Sequence, residues 1–433
     1  MPITTLLIYA LFFSLFAGAL FSPILGVAGY LSVHTLYNPH SWWGSGFPQV
    51  LPRPSLLAML FILFSTLLHL RDLNWTFSRR EVQFYLFLAS AWISSFVFGV
   101  GVQDVGWEYL IKFTKIFLFL FFLLRIATTF LHLKIIAWTL IVSALFLSYQ
   151  GHIVSSGYFT EGRLDQIGGT DFREANQLAS FLTMAVAFLG IRLLRASLWK
   201  KALYTLGIAL ILDTIVLTQS RAVFLGLLLA GPYIIFRAPR YYRKQIVLCA
   251  GLGVLLFFML ADPKFIDRMS TISSEAKDLP MKITKVEEKV LHRIDFWRAS
   301  LHIFRDHPMG IGVKNFEAVV SLYDPRNPGL DAHNTYVLCY SELGIPGIIL
   351  FLIIIFESLF QMKRIRSAAE GTPYEKEISL YAFALMAIHL VYLLGVMMTH
   401  SILYSEMLWI ILSLPICLEM ATKKLLSEPS DTE

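Results

Sequence analysis

The residues with the clearest chemical potential in this chain are arginines and one histidine set against long apolar runs. Arg221 opens such a run in Thr218-Gln219-Ser220-Arg221. An arginine at the edge of hydrocarbon is expensive and needs a partner. Its planar, permanently charged fork suits a phosphate-bearing ligand; the plainer alternative is snorkelling to lipid headgroups. Arg163 and Arg173 lie among the turn residues Gly162, Gly168 and Gly169, while Arg293 and Arg298 lie in a stretch of mixed polarity, where Arg293 and Trp297 are four apart and share a helix face. Each singly would pass for a surface charge. Several together, without a matching block of acids, point to an anionic ligand. His333 precedes Asn334-Thr335-Tyr336 where another apolar run begins. A helix N-terminus there favours anions, so substrate contact or proton transfer stands beside a simple capping role.

Other ionisable residues fall inside apolar runs: Asp213, Glu342, Glu357, His389 and Glu406. Such groups also mark ion pathways in transporters, but these are scattered over separate segments with no obvious relay. Packing and helix-helix hydrogen bonding are the expected roles. Cys249, Cys339 and Cys417 all sit in apolar stretches, without metal-ligand spacing, and read as small packed hydrophobes. No P-loop, dinucleotide fingerprint or acidic pair with metal-binding spacing occurs, so neither ATP use nor a metal or other cofactor is expected.

The elements that must position these residues follow from composition. Of 433 residues, 56% are hydrophobic and 15% charged, with a mean hydropathy of +0.64, far from the balance of a soluble domain. Apolar runs long enough for a bilayer recur at about 54–70, 82–100, 110–125, 135–150, 175–193, 202–219, 222–236, 246–261, 334–360, 378–398 and 402–420. Before them, 5–36 is broken by Pro23 and reads as one kinked crossing, or as two short ones if the N-terminus is external. The formal charge of +6 is no sign of nucleic acid, because the basic residues fall in short, alternate loops. Arg71, Arg79 and Arg80, then Arg192 to Lys201, Arg237 to Lys244, Lys363 to Arg366, and Lys423 and Lys424 mark the cytoplasmic side. The intervening 37–53, 101–109, 151–174 and 262–333 then face outward. Only 262–333 is too long for a turn. Within it, 281–305 places Val290, Ile294, Trp297 and Leu301 at helical spacing, as an amphipathic helix against the membrane surface or over a cavity would. The break at Gly344-Ile345-Pro346-Gly347 predicts a kink in the following helix, with packing as its default cause.

Four stretches resemble the signature region of the O-antigen ligase and polymerase superfamily: Arg293 to Ala299, His307 to Phe316 with its His307-Pro308-Met309-Gly310-Ile311-Gly312 start, His333-Asn334-Thr335-Tyr336, and Glu342 to Gly347. Ser220-Arg221-Ala222 is similar to that family's segment on an earlier helix, and Asn38-Pro39-His40 to its exosortase-associated O-glycosylation branch. The resemblance implies an all-α polytopic membrane protein, GT-C-like, with about twelve transmembrane helices and a large periplasmic loop. Residues 1–261 would form the first helices, 262–333 the loop, and 334–433 the remaining helices and a cytoplasmic tail. It implies a glycosyltransferase of the inner membrane that takes a glycan from undecaprenyl diphosphate. The acceptor is lipid A-core for a ligase, a carrier-linked repeat for a polymerase, or a protein hydroxyl for an oligosaccharyltransferase. Carried over by motif, Arg221 and Arg293 would bind the diphosphate and His333 would orient or deprotonate the acceptor. Arg163, Arg173, Arg298, Trp297, Asn334 and Tyr336 would line the substrate, with Asn176 keeping part of a loop the family makes richer in asparagine. A transporter of lipid-linked glycans is the rival from a different class.

Overall fold

In hydrocarbon every backbone N–H and C=O needs an internal partner, so a chain with this many apolar runs must fold as helices. The structure, a computed structural model, describes residues 3–46, 53–100, 104–154, 158–160, 162–172, 174–260, 297–325, 329 and 331–427. Arg173, Arg293 and most of 281–305 lie outside the described residues. Within them the chain is helical apart from one antiparallel pair, Phe159–Thr160 with Arg163–Leu164. The helices are α1 (Ile3–Ala19), α2 (Pro23–Leu36), α3 (Pro54–Leu68), α4 (Arg79–Ile93, continued by a π turn over Ser94–Phe98), α5 (Asp104–Ile126), α6 (Phe130–Ile153), α7 (Ala175–Leu194), α8 (Leu198–Thr218), α9 (Arg221–Phe236), α10 (Arg243–Leu260), α11 (297–306), α12 (Phe316–Tyr323), α13 (Thr335–Ala369), α14 (Glu375–Val391, prolonged through Tyr392–Val396 and Met397–Thr399) and α15 (Glu406–Ser427).

The chain is a multi-pass membrane protein. Among the described residues, six helices are long and apolar enough to cross a bilayer, or up to seven if the bent pair α9 and α10 is one span, against the twelve or so expected. Much of the difference lies in α1, α2 and α3, which have 17, 14 and 15 residues and reach only about 21–26 Å at ~1.5 Å per residue. Outward faces are apolar: Leu56, Leu60, Leu63, Phe64 and Leu67 on α3 are exposed, as are Val247, Leu248, Leu252 and Leu255 on α10. A surface of that kind suits lipid, not water.

Two expectations about the path of the chain change. Residues 5–36 do not make one kinked crossing. The Thr5 hydroxyl donates to Trp43 O at 2.6 Å and the Tyr9 hydroxyl to Gly46 O at 2.8 Å, so α1 begins beside the residues that follow α2. The two helices run antiparallel, because Pro23 starts a new helix after the turn at Leu20-Phe21-Ser22 instead of extending the old one. In the second case, α9 and the residues Arg240–Phe257 are bent by 106° at the intervening break, a broken span or a re-entrant loop, not a plain pair of crossings.

The basic turns picked out by charge gather at one end of the bundle. Arg366 donates to Arg237 O at 2.9 Å, and Lys134 and Arg195 reach Glu377 at 2.8 and 3.2 Å. At the opposite end, α13 breaks as the Gly-Ile-Pro-Gly sequence predicts: Gly344 has φ 64 and ψ −161 inside the helix. The glycine-rich strip 308–312 takes up the backbone groups this break frees. Ile311 N–H donates to Ser341 O at 3.0 Å, Gly312 N–H to Glu342 O at 2.9 Å, and Ile345 N–H to Pro308 O at 2.8 Å. The Glu342 carboxylate, fully buried, accepts from Phe316 N–H at 3.1 Å and from the Tyr404 hydroxyl. A side chain at Gly344 would collide with the backbone of Met309, and one at Gly310 with the carbonyl of Glu342. The two glycine motifs therefore clamp the end of the long loop to α13. Gly344→Ala should lower stability by at least ~1–3 kcal/mol, the range for a residue forced into a region only glycine occupies readily. An unchanged unfolding midpoint in detergent would remove the clamp.

Candidate functional site

At the end of the bundle away from the basic turns, three side chains from separate parts of the chain, Arg163, Ser220 and His400, converge on the side chain of Asn176, in the first turn of α7. The turn between α8 and α9 is sharp because Gln219 takes a left-handed conformation (φ 48) and Ser220 is extended, capping α9 with its hydroxyl on Val223 N–H at 3.3 Å. That same hydroxyl donates to Asn176 Oδ1 at 2.8 Å. Arg163, on the short hairpin, donates to Asn176 Oδ1 at 3.1 Å and through Nε to Thr218 O at 3.1 Å. Gln219 ties the hairpin down by donating to Gly162 O at 3.1 Å. Asn176 Oδ1 is thus an acceptor from two sides, so its amide nitrogen must donate. It does so to His400 Nε2 at 2.6 Å, which requires that nitrogen to be unprotonated and places the ring proton on Nδ1, 3.3 Å from the Thr399 hydroxyl.

Arg221 is half-buried at the first position of α9, next to Ser220. The adjoining stretch of α13 closes the group. Thr335 donates to His400 O at 2.6 Å and accepts from Ile402 N–H at 3.1 Å, fastening the helix start to the turn at His400. His333 precedes this helix in a left-handed conformation (φ 47), with its ring 6.4 Å from that of His400 and Nδ1 4.0 Å from Asp331. Glu174, which precedes α7, is open to solvent on one side. Its carboxyl is nonetheless held above the ordinary range by surrounding protein and by Asp331, against the pull of His333 and Arg163.

The structure therefore brings Arg163, Arg221 and His333 to one end and one group. Asn334 and Tyr336 turn their polar side-chain atoms to the fold instead. The Asn334 carbonyl accepts from Tyr336 and Val337 N–H at 2.9 and 3.1 Å, its amide donates to Met398 O at 3.2 Å, and the Tyr336 hydroxyl donates to Leu393 O at 3.2 Å. Both hold α13 in place. Trp297 and Arg298 are the first described residues of α11, whose buried face is Ala299, Ser300 and Ile303, seated on Tyr340 through Ser300. Trp297 and Leu301 stay exposed at 38% and 60%, facing away from the bundle as a helix resting on a membrane surface would hold them.

His400 is the residue that the sequence reading passed over. Its only signal is a polar Thr399-His400-Ser401 between two apolar runs. Glu406 also finds company. Asp171 accepts from Lys112 at 3.2 Å, the Ser405 hydroxyl at 2.9 Å and Glu406 N–H at 2.6 Å, while His34 lies 3.5 Å from Asp171 and 3.2 Å from the Glu406 carboxylate. This buried group anchors the 158–172 segment to α2, α5 and α15, where the sequence suggested scattered and unconnected residues. Among the described residues, no cluster of three or more His, Cys, Asp or Glu side chains could hold a metal ion.

Residues 206–352 match the family model described as Wzy_C, O-Antigen ligase. The matched stretch spans the α8–α9 turn with Arg221, the glycine clamp and His333. No curated protein matches the chain.

Proposed function

We propose that this chain is an O-antigen ligase, transferring a polysaccharide from undecaprenyl diphosphate to lipid A-core at the periplasmic face of the bacterial inner membrane. The observation that carries this reading is the convergence of Arg163, Ser220-Arg221, Asn176, His400 and His333 at the end of the bundle opposite the basic turns. The match over 206–352 supports the family, and the positive-inside tendency supports the orientation. In the reaction, the acceptor hydroxyl oxygen attacks the anomeric carbon from the face opposite the diphosphate and inverts its configuration. The carbon–oxygen bond to the diphosphate breaks, its electron pair stays on the leaving oxygen, and the hydroxyl proton passes to His333. The arginines stabilise the charge that develops on the diphosphate. Asn176 and His400 are positioning residues that fix the Arg163 fork. An apolar cavity of about 90 Å³ beside Ser220, walled by Thr183, Leu212, Val223, Leu227 and Phe257, offers the carrier's first isoprene units a place next to Arg221.

A strain lacking the gene should retain carrier-linked polymer and make core lipopolysaccharide with no ladder; core bearing a single repeat would instead identify a polymerase. The buried Asp171–His34–Glu406 group, joined by the half-exposed Lys112, favours a second reading, coupled transport. Transfer by purified protein in vesicles without an ion gradient would exclude transport as the main activity.

His333 tests the chemistry separately from the fold. Glycine meets the positive φ at this position without strain, so His333→Gly removes only the imidazole. Stability should stay within about 1 kcal/mol of wild type, while transfer falls by ~10²-fold or more. A midpoint that falls in step with activity would make His333 a structural cap.

A further inference from the structure

At the basic end of the bundle, about 24 Å along α7 from Asn176 at ~1.5 Å per residue, a second cavity lies between α6, α7, α8 and α14. It holds about 320 Å³ and is lined by Lys134, Arg192, Arg195 and Lys200, against the single acid Glu377. Lys134 and Arg195 share that acid. Arg192 has no carboxylate partner among the described residues. Its guanidinium donates to the Tyr381 hydroxyl at 2.9 Å and lies 5.5 Å from the Trp138 ring centre and 5.9 Å from that of Tyr381. A fork held in this way between two aromatic rings loses little freedom when it binds, and it is half-buried in a space much larger than the ~30 Å³ of one water. Lys200 rests over Trp199 at 5.4 Å, again without a carboxylate among the described residues.

We propose that this cavity binds the phosphodiester headgroup of an anionic glycerophospholipid, with Arg192 and Lys200 as the principal donors. The surface beside it favours a lipid over a free phosphate. Trp199, Leu203 and Leu206 follow one another at helical spacing on α8 and are 67%, 56% and 68% exposed, giving acyl chains an apolar track from the rim of the cavity. Trp199 stands where aromatic residues mark the headgroup level. On the proposed topology this is the cytoplasmic leaflet, where basic pockets between helices meet acidic headgroups. The occupant would tie the basic ends of four helices together, and α7 carries that tie directly to Asn176.

The test is native mass spectrometry of the full chain released from nanodiscs containing equal amounts of phosphatidylglycerol and phosphatidylcholine. Wild type should retain phosphatidylglycerol preferentially, and Arg192→Gln with Lys200→Gln should reduce that retention at least ~10-fold while leaving phosphatidylcholine unchanged. Glu377→Gln provides the opposite sign and guards against a misfolded double variant: removing the one acid among the described lining residues should increase phosphatidylglycerol retention. Equal retention of the two lipids by wild type, or retention untouched by both variants, would overturn the site. Displacement of phosphatidylglycerol by millimolar inorganic phosphate would overturn the lipid as its occupant.

Discussion

Arg221→Ala is expected to lower transfer ~10²–10³-fold while leaving the unfolding midpoint near that of wild type. The size follows from the role. A diphosphate leaves only as fast as its developing charge is stabilised, and removing one preorganised donor from such a site typically reduces turnover by that factor. The separation from stability follows from the cap. The first turn of α9 is closed by the Ser220 hydroxyl on Val223 N–H, a bond that does not involve the Arg221 side chain. Arg221→Lys should recover little, because an ammonium cannot reproduce a two-pronged contact. Asn176→Ala should act more weakly, about tenfold, since the polar side-chain atoms of Asn176 are already engaged by Arg163, Ser220 and His400 and its effect passes through them. Purified variants in vesicles, assayed with saturating lipid-linked donor, distinguish the two. Activity of Arg221→Ala within about threefold of wild type would mean that snorkelling, not substrate, explains this arginine.

What was legible in the sequence was whatever is encoded locally. The apolar runs gave most helices and Gly344-Ile345-Pro346-Gly347 gave the break in α13, because each depends on neighbours in the chain. The partner of that break was not legible. The backbone groups freed at Gly344 are taken up by 308–312, and only the three-dimensional approach explains why Gly310 and Gly312 also have positive φ. The hairpin of α1 and α2 was missed for a similar reason: Pro23 is compatible with a kink or a reversal, and contacts of Thr5 and Tyr9 with residues beyond α2 decide between them. At the site, Arg221 and His333 stood out because a charged or titratable group beside an apolar run is conspicuous, and Arg163 because it was one of several outward arginines without a matching block of acids. His400 is equally polar, but its significance lies in a bond to Asn176, 224 residues away. Asn334 shows the other side of this, for a motif residue can be shared by function and by capping, and both of its polar side-chain atoms are taken up by the fold.

Asp171→Asn should destabilise the protein by about 3 kcal/mol, the lower end of the range for breaking a buried charge pair. The low end applies because Lys112 is 42% exposed, so water screens part of its attraction. The greater loss comes from the buried side, where one Asp171 oxygen receives Ser405, Glu406 N–H at the start of α15, and the approach of His34. Burial pushes the Asp171 carboxyl up, but Lys112, His34 and the Ser405 hydroxyl outweigh it and hold the group below its ordinary value of 3.8. The sign of the pH effect follows. A carboxyl depressed in the folded state contributes its full stability above the unfolded value and loses it as pH falls through the folded one. Wild type should therefore show a fall in unfolding midpoint below about pH 4 that is reduced in Asp171→Asn, with the two curves parallel at neutral pH and offset by the lost pair. Because this group fastens the 158–172 segment that carries Arg163, the variant should also lose transfer at temperatures well below its midpoint. Full activity in a destabilised Asp171→Asn would separate the anchor from the site and show that the bonds of Arg163 to Thr218 and Asn176 survive without it.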